Sequence, residues 1–415
     1  MLKKKGINWD RLKKDSVLIL GFGKEGQDTL SFLRKKFPKK VIGIADERRD
    51  LVIDDPRVRT HLGKSYLKSI PEYQIAIRTP GIPLFKIRPF LKKTRLTSQA
   101  DIFLNLSKGK IVGVTGTKGK SATCNAIYNI LKENIKEDVY LLGNIGTPSL
   151  NFLDKKGVFV YELSSFQLES ITASPQIAVL LNIYRDHLDS HQSYEEYFDA
   201  KSNITAFQGI SDHLIYNKKD SEVLKVLSRS KAKRIPFDPE EKIKDSVVYF
   251  DPILKVAQIF EIPEDRVKRK LRSFRPLPHR LEYLGEFKRI KFYNDSAATI
   301  PEATVSAIKN LEENLETLIT GGKDKGVDYK NLGQVIKRSK IKNLITFPDT
   351  GEKIYKEVGK INHFPVKSMK EAVEIAFKKT SKGKICLFSP ASSSFNMFEN
   401  YKERGDIFKK TLKSG

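Results

Sequence analysis

Short apolar runs recur along this chain, separated by stretches with helical spacing, and that alternation limits the fold more than any other feature. Residues 17–20, 41–45, 74–77, 111–114, 158–161 and 177–181 read as strands, as do 318–320, 344–347 and 385–388. They are too short for buried helices and too rich in valine and isoleucine. Between them lie helix-like segments such as 122–135, where Ala126, Ile127, Ile130 and Leu131 share one face. Strands alternating with helices predict an α/β chain of parallel sheets covered on both faces. The 415 residues suffice for two or three domains, and a hydrophobic share of 39% is enough to fill their cores.

No apolar run approaches the roughly 18–20 residues of a membrane helix. The start, MLKKKGINWDRLKKD, is basic but lacks the apolar core of a secretory signal. Two cysteines, Cys124 and Cys386, argue against a disulfide scaffold and fit a reducing compartment, so a cytoplasmic protein without membrane attachment is expected. Lysine and arginine number 76 against 50 acidic residues, a net charge of +26. The basic residues are spread along the chain without a basic tail or an RNA-binding signature. Such a field favours polyanionic small substrates such as nucleotides; a dedicated nucleic-acid binder is the minor alternative.

The densest chemistry lies at 111–121, IVGVTGTKGKS, where a strand runs into a glycine-rich turn and then a helix. Gly116, Thr117, Lys118 and Gly119 would form a phosphate-binding turn, with backbone N–H groups and the helix N-terminus facing the anion. Lys120 would reach the β- and γ-phosphates, and the Ser121 hydroxyl would hold Mg²⁺. The common pattern has glycine at position 114, where this chain has Val114, so the loop is a variant. A second turn, Gly21-Phe22-Gly23-Lys24-Glu25-Gly26, also follows a strand, and Asp46 ends the next one. That is a dinucleotide-type pattern, although a tight turn needing glycine only for packing reads the same way. Glu162 and His187 stand where strands of a parallel sheet end, the edge at which ligands bind, and Glu162 offers the hard oxygen that Mg²⁺ prefers.

Several stretches then follow one another as in a known family. TGTKGKS at 115–121, LGNIG at 142–146, YELSSFQLE at 161–169, DHLD at 186–189, PHR at 278–280 and NDS at 294–296 resemble the Mur ligases over essentially the whole chain. The resemblance implies three domains: a Rossmann-like domain over 1–98 for a uridine nucleotide, a P-loop ATPase-like domain over 99–276, and a Rossmann-like domain over 277–415 for an amino acid. The 275–278 stretch, RPLP, would be the hinge between the last two.

ELSSFQLE, GGKDKG at 321–326 and SPASSSFNMFENYKERG at 389–405 favour the member that adds D-glutamate to UDP-N-acetylmuramoyl-L-alanine. In such an enzyme ATP phosphorylates a carboxylate to an acyl phosphate, the amine of D-glutamate attacks it, and ADP and phosphate leave. Another Mur-type or folylpolyglutamate-type ligase with a different acceptor is the alternative, and a monomer is expected.

The resemblance also implies residue roles. Lys120, Glu162, His187 and Lys201 would be catalytic. Ser121 and Glu162 would hold one Mg²⁺, and His187 a second. Lys201 matches the family's carbamylated lysine, an anionic oxygen ligand. Arg280 and Asp295 would reach ATP. Phe22, Gly23 and Lys24 would lie by the diphosphate, Asp46 near the uracil or ribose, Gly81 on a neighbouring loop, and Asn144 and Gln167 by the muramoyl-alanine part. Thr299, Lys325, Ser394 and Tyr401 would take the glutamate. Ala297 departs from the family's usual lysine, and Tyr401 stands where many members have phenylalanine.

Overall fold

A computed structural model describes residues 6–143, 148–184, 191–240, 249–272, 278–324, 327–395 and 397–414. The chain forms two compact units that divide after residue 273. The first unit holds two sheets. One contains β1 (Val17–Leu20), β2 (Ile42–Asp46), β3 (Val58–Leu62), β4 (Ile75–Arg78) and β5 (Arg95–Ser98) in the order β3-β2-β1-β4-β5. The next contains β6 (Lys110–Thr115), β7 (Val139–Gly143), β8 (Val158–Glu162), β9 (Ile177–Leu180), β10 (His213–Asn217) and β11 (Lys233–Phe237) in the order β11-β10-β9-β6-β8-β7. Every pairing in both is parallel.

The inner strands β1, β2, β4, β8 and β9 are buried along their whole length, which is why their sequences are continuous apolar runs. The edge strand β3, VRTHL, is half exposed and carries Arg59 and His61, so its sequence lacks that signal.

One apolar cluster runs through both sheets of this unit, joining Val17, Phe32 and Ile77 to Ile111, Phe159 and Leu180. Phe103, on the helix Gln99–Leu106, meets the rings of Phe159 and Tyr161 on β8 edge-on, at 5.0 and 5.6 Å. Ser98 both ends β5 and caps that helix, accepting the Asp101 N–H at 3.2 Å.

The second unit is built on β12 (Glu282–Phe287), β13 (Ile290–Asn294), β14 (Leu315–Gly322), β15 (Asn343–Asp349), β16 (Asn362–Pro365) and β17 (Ile385–Phe388), in the order β12-β13-β17-β14-β15-β16. Purely parallel sheets were the expectation, and here the structure differs: β12 pairs antiparallel with β13. The cause is a two-residue loop. Lys288 and Arg289 have φ of 52° and 66°, both left-handed, the backbone of a tight hairpin turn. The remaining pairs are parallel. Separate apolar layers cover the two faces of this sheet, one around Leu318, Leu344 and Leu387, the other around Ile319, Phe347 and Phe388.

Cys124 lies buried in the first unit and Cys386 in the second. Among the described residues, no helix is long and apolar enough to cross a membrane.

Candidate functional site

The turn after β6 is held from beneath. Gly119, at φ +84°, turns the chain into the helix Lys120–Asn134. Thr117 N–H donates to Asn182 O at 2.9 Å, and Lys118 N–H to Asn182 Oδ1 at 2.8 Å. Thr117 Oγ1 lies 2.7 Å from the Tyr197 hydroxyl and accepts the Tyr184 N–H at 2.9 Å. Two amides of the turn are therefore committed to the protein itself. Anion binding falls to the first turn of the following helix, whose N–H groups have no place in the helical ladder. Asn182 and Tyr197 shape this loop from 64 to 80 positions away, too far for a local sequence pattern to mark them.

Two ammonium groups share the Gly116 carbonyl. Lys120 Nζ donates to it at 2.9 Å, and also to Thr117 O at 3.1 Å; Lys201 Nζ donates to it at 2.8 Å. Lys201 sits on the helix Tyr194–Ala206, only 1% exposed, with its ammonium 4.9 Å from the centre of the Tyr197 ring. Beside them, Glu162 ends β8 next to β6, also 1% exposed, and among the described residues its Oε2 has no hydrogen-bond partner. Burial, then the Glu162 charge, push the Cys124 thiol up.

A buried carboxylate oxygen without a partner is costly unless a cation meets it. With the buried Ser121 hydroxyl, Glu162 supplies the oxygen donors that suit Mg²⁺, which keeps several waters and needs few protein ligands. His187, expected to help hold a second Mg²⁺, lies outside the described residues, as does Asn144. Among the described residues, no group of three or more His, Cys, Asp or Glu could hold a metal.

At the first sheet, the turn after β1 requires its glycines. Gly21 has φ +85°, and a Cβ there would stand 2.3 Å from Thr79 Oγ1; a Cβ on Gly26 would stand 2.1 Å from Gly21 O. Asp46 fastens the turn. Its Oδ2 accepts the Phe22 N–H at 2.6 Å, and its Oδ1 accepts Arg48 Nε–H at 2.9 Å. Arg48 also donates to Phe22 O at 2.9 Å. Chiefly through the Arg48 bond, the Asp46 carboxyl is pulled down to about 2. Asp46 thus shapes the turn, and Arg48, unnoticed in the sequence, is the cation beside it. Gly23 and Lys24 are exposed where the helix Lys24–Lys36 begins, and Gly81 is exposed with open space around it.

On the second sheet, Ser164 caps the short helix Ser165–Leu168. Gln167 Oε1 returns to Ser164 N at 3.0 Å, so any ligand contact falls to the NH₂ end of Gln167.

In the second unit, the ends of β13, β14 and β17 gather most of the remaining candidates. Asp295 accepts Leu281 N–H at 3.0 Å and the Ser389 hydroxyl at 2.8 Å. His279 and Leu281, at φ 66° and 47°, hold Arg280 in a tight turn against this loop, and the Ala297 N–H donates to His279 O at 2.9 Å. Burial pulls the His279 imidazole down.

Arg404, 1% exposed, donates to Ser296 Oγ at 3.0 Å, Ser296 O at 2.9 Å and Ser392 O at 3.1 Å. It joins the 294–299 loop, which carries Thr299, to the 389–395 loop, which carries the buried Ser394. The Ser296 hydroxyl donates to Tyr401 O at 2.8 Å, which brings Tyr401 to the same edge. Lys325 lies outside the described residues. Arg404 had no sequence signal, because its partners are more than a hundred positions away, or on a loop whose path only the fold fixes.

Comparison with known proteins bears on the family and the fold. A family model described as the Mur ligase middle domain matches residues 114–273, and one described as the Mur ligase, glutamate ligase domain matches 279–392. The chain is 31% identical to the UDP-N-acetylmuramoylalanine–D-glutamate ligase of Acetivibrio thermocellus, covering 97% of each. It is 33% identical to that of Aquifex aeolicus, over 95% of this chain and 98% of the relative. Among solved structures, MurF ligase of Thermotoga maritima with ADP aligns over 100% of this chain and 99% of its own, with a TM-score of 0.59 at 18% identity. FolC of E. coli with ADP covers 81% of this chain and 100% of its own, with a TM-score of 0.57 at 14% identity.

Proposed function

The chain belongs to the Mur ligase family, and from that premise we propose that it joins D-glutamate to UDP-N-acetylmuramoyl-L-alanine, consuming ATP. The observation that carries this reading is the near full-length similarity to D-glutamate ligases, which spans both family-model regions and the first sheet. In this reading residues 1–98 hold the uridine nucleotide, 99–276 hold ATP, and 277–415 hold the amino acid.

A carboxylate at neutral pH is a poor electrophile, so the L-alanyl carboxylate first attacks the γ-phosphorus of ATP, giving an acyl phosphate and ADP. The D-glutamate amine then attacks the acyl carbon, an amide bond forms, and phosphate departs with the electrons of the broken C–O bond. Lys120 and the first helical turn after Gly119 neutralise the phosphate charge that moves during the first step. Bound Mg²⁺, held by Glu162 and Ser121, would supply further charge neutralisation on the phosphate oxygens. The orphaned Glu162 oxygen supports that assignment, and His187 would help to hold a second Mg²⁺. Arg280 and Asp295 are assigned to the nucleotide by the family resemblance, and Thr299, Lys325, Ser394 and Tyr401 to the incoming glutamate.

Carbamylation of Lys201 fits the same site. Two ammonium groups on one buried carbonyl repel each other, and conversion of Lys201 to an anionic carbamate would replace that repulsion with attraction.

The test is phosphate release from ATP with Mg²⁺ and UDP-N-acetylmuramoyl-L-alanine, offering D-glutamate, L-glutamate, L-lysine and diaminopimelate in parallel. Release with D-glutamate alone is expected. Release with another amino acid would reassign the acceptor, and none with any would refute the reading.

A further inference from the structure

Arg78 ends β4 in the wall between the two sheets of the first unit, 1% exposed. One Nη donates to Ile82 O at 2.9 Å and stands 2.8 Å from Glu169 Oε2; the other Nη donates to Phe166 O. Ile82 belongs to the loop beside the first-sheet turn. Phe166 and Glu169 belong to the capped helical turn of the second sheet that carries Gln167. The other Glu169 oxygen lies 3.4 Å from Nδ1 of His191. That imidazole is 1% exposed, stacks on Phe166 at 5.1 Å, and shares a hydrogen bond with Ser165 Oγ at 3.1 Å through Nε2. One guanidinium therefore joins a carbonyl from the loop beside the first sheet to one from the helical turn beside the second, and its carboxylate partner lies between it and His191 behind the Gln167 turn.

Stability alone explains this poorly, since a buried ion pair is seldom better than an apolar pair of the same volume. What the planar fork adds is a fixed spacing between two loops. On the ligase reading, on which this inference rests, those loops grip opposite ends of one long substrate. A molecule held at two places gains over its fragments only while the two grips keep their spacing. We propose that Arg78 and Glu169 are a positioning pair that sets the distance between the uridine diphosphate grip and the muramoyl-alanine grip.

The experiment compares the parent with the double variant Arg78→Met/Glu169→Met, which leaves neither charge buried alone, and with Arg78→Lys, which keeps the charge but loses the fork. The inhibition constant of UDP is measured beside kcat and the KM of each substrate. In the double variant, UDP inhibition and the KM of ATP should stay within about twofold of the parent, while the KM of UDP-N-acetylmuramoyl-L-alanine rises about tenfold or more and kcat falls. Arg78→Lys should fall between the two, and it gives the same comparison should the double variant not fold.

Equal weakening of UDP and full substrate would mean general loosening and would overturn the proposal, as would no change in either. An inactive parent overturns the ligase reading together with this inference. An active parent with unaffected variants overturns this inference alone.

Discussion

Around Gly116 the consequences of single side chains are sharpest. Replacing Lys120 with alanine removes a cation from the phosphate turn, and coupled phosphate release should fall by about two to three orders of magnitude. Lys201→Ala should be similarly impaired but partly restored by millimolar acetate or formate, because a small carboxylate can stand in for a carbamate; a variant that is fully active, or untouched by either acid, would remove Lys201 from the chemistry.

Glu25 offers a test by pH. Burial pushes its carboxyl up to about 7 from 4.5. The folded state therefore favours the protonated form, and its contribution to stability is complete below about 4.5 and lost as pH rises towards 7. Urea midpoints of the parent should decline over that interval relative to Glu25→Gln, whose slope should be flatter. Lys120, Ser121 and Glu162 were legible in the sequence because a motif or a strand end marks each. Arg48, Arg78, Asn182 and Arg404 were not. Asn182 lies 64 positions from Lys118 and Arg404 lies 108 from Ser296, distances at which no local pattern forms.

Among elements, legibility followed burial. Continuous apolar runs revealed β1, β4, β8, β9 and β17, whereas edge strands such as β3 and β16, with charged or polar residues facing solvent, gave no such run. The β12–β13 hairpin escaped notice because its turn is Lys288-Arg289 and not the Asn-Gly that usually announces one. That mismatch predicts a gain. Arg289→Gly, relieving a left-handed residue, should stabilise the protein by about 0.5–1 kcal/mol in urea denaturation. The helix Met369–Lys379 depends on its cap, with Ser368 Oγ accepting the Glu371 N–H at 3.2 Å. Ser368→Ala should cost about 1 kcal/mol in the same measurement, with every KM unchanged.

For the whole molecule, alternation of strands and helices conveyed the α/β class and several sheets, but not which sheets share a core. Composition near Ser98 does not reveal that Phe103 packs on Phe159 and Tyr161, or that one apolar cluster crosses both sheets of the first unit. The second unit covers both faces of its own sheet. Residues 278–415 expressed alone should therefore unfold cooperatively in thermal denaturation followed by circular dichroism, whereas residues 1–98 alone should show no sharp transition. The two buried cysteines turn this division into something observable. Burial pushes the Cys386 thiol up, as it does that of Cys124, so alkylating reagents should find the native molecule almost inert. Each thiol becomes a clock for one half of the chain: peptide mapping after timed exposure to iodoacetamide would report how often each half opens, without any engineered label.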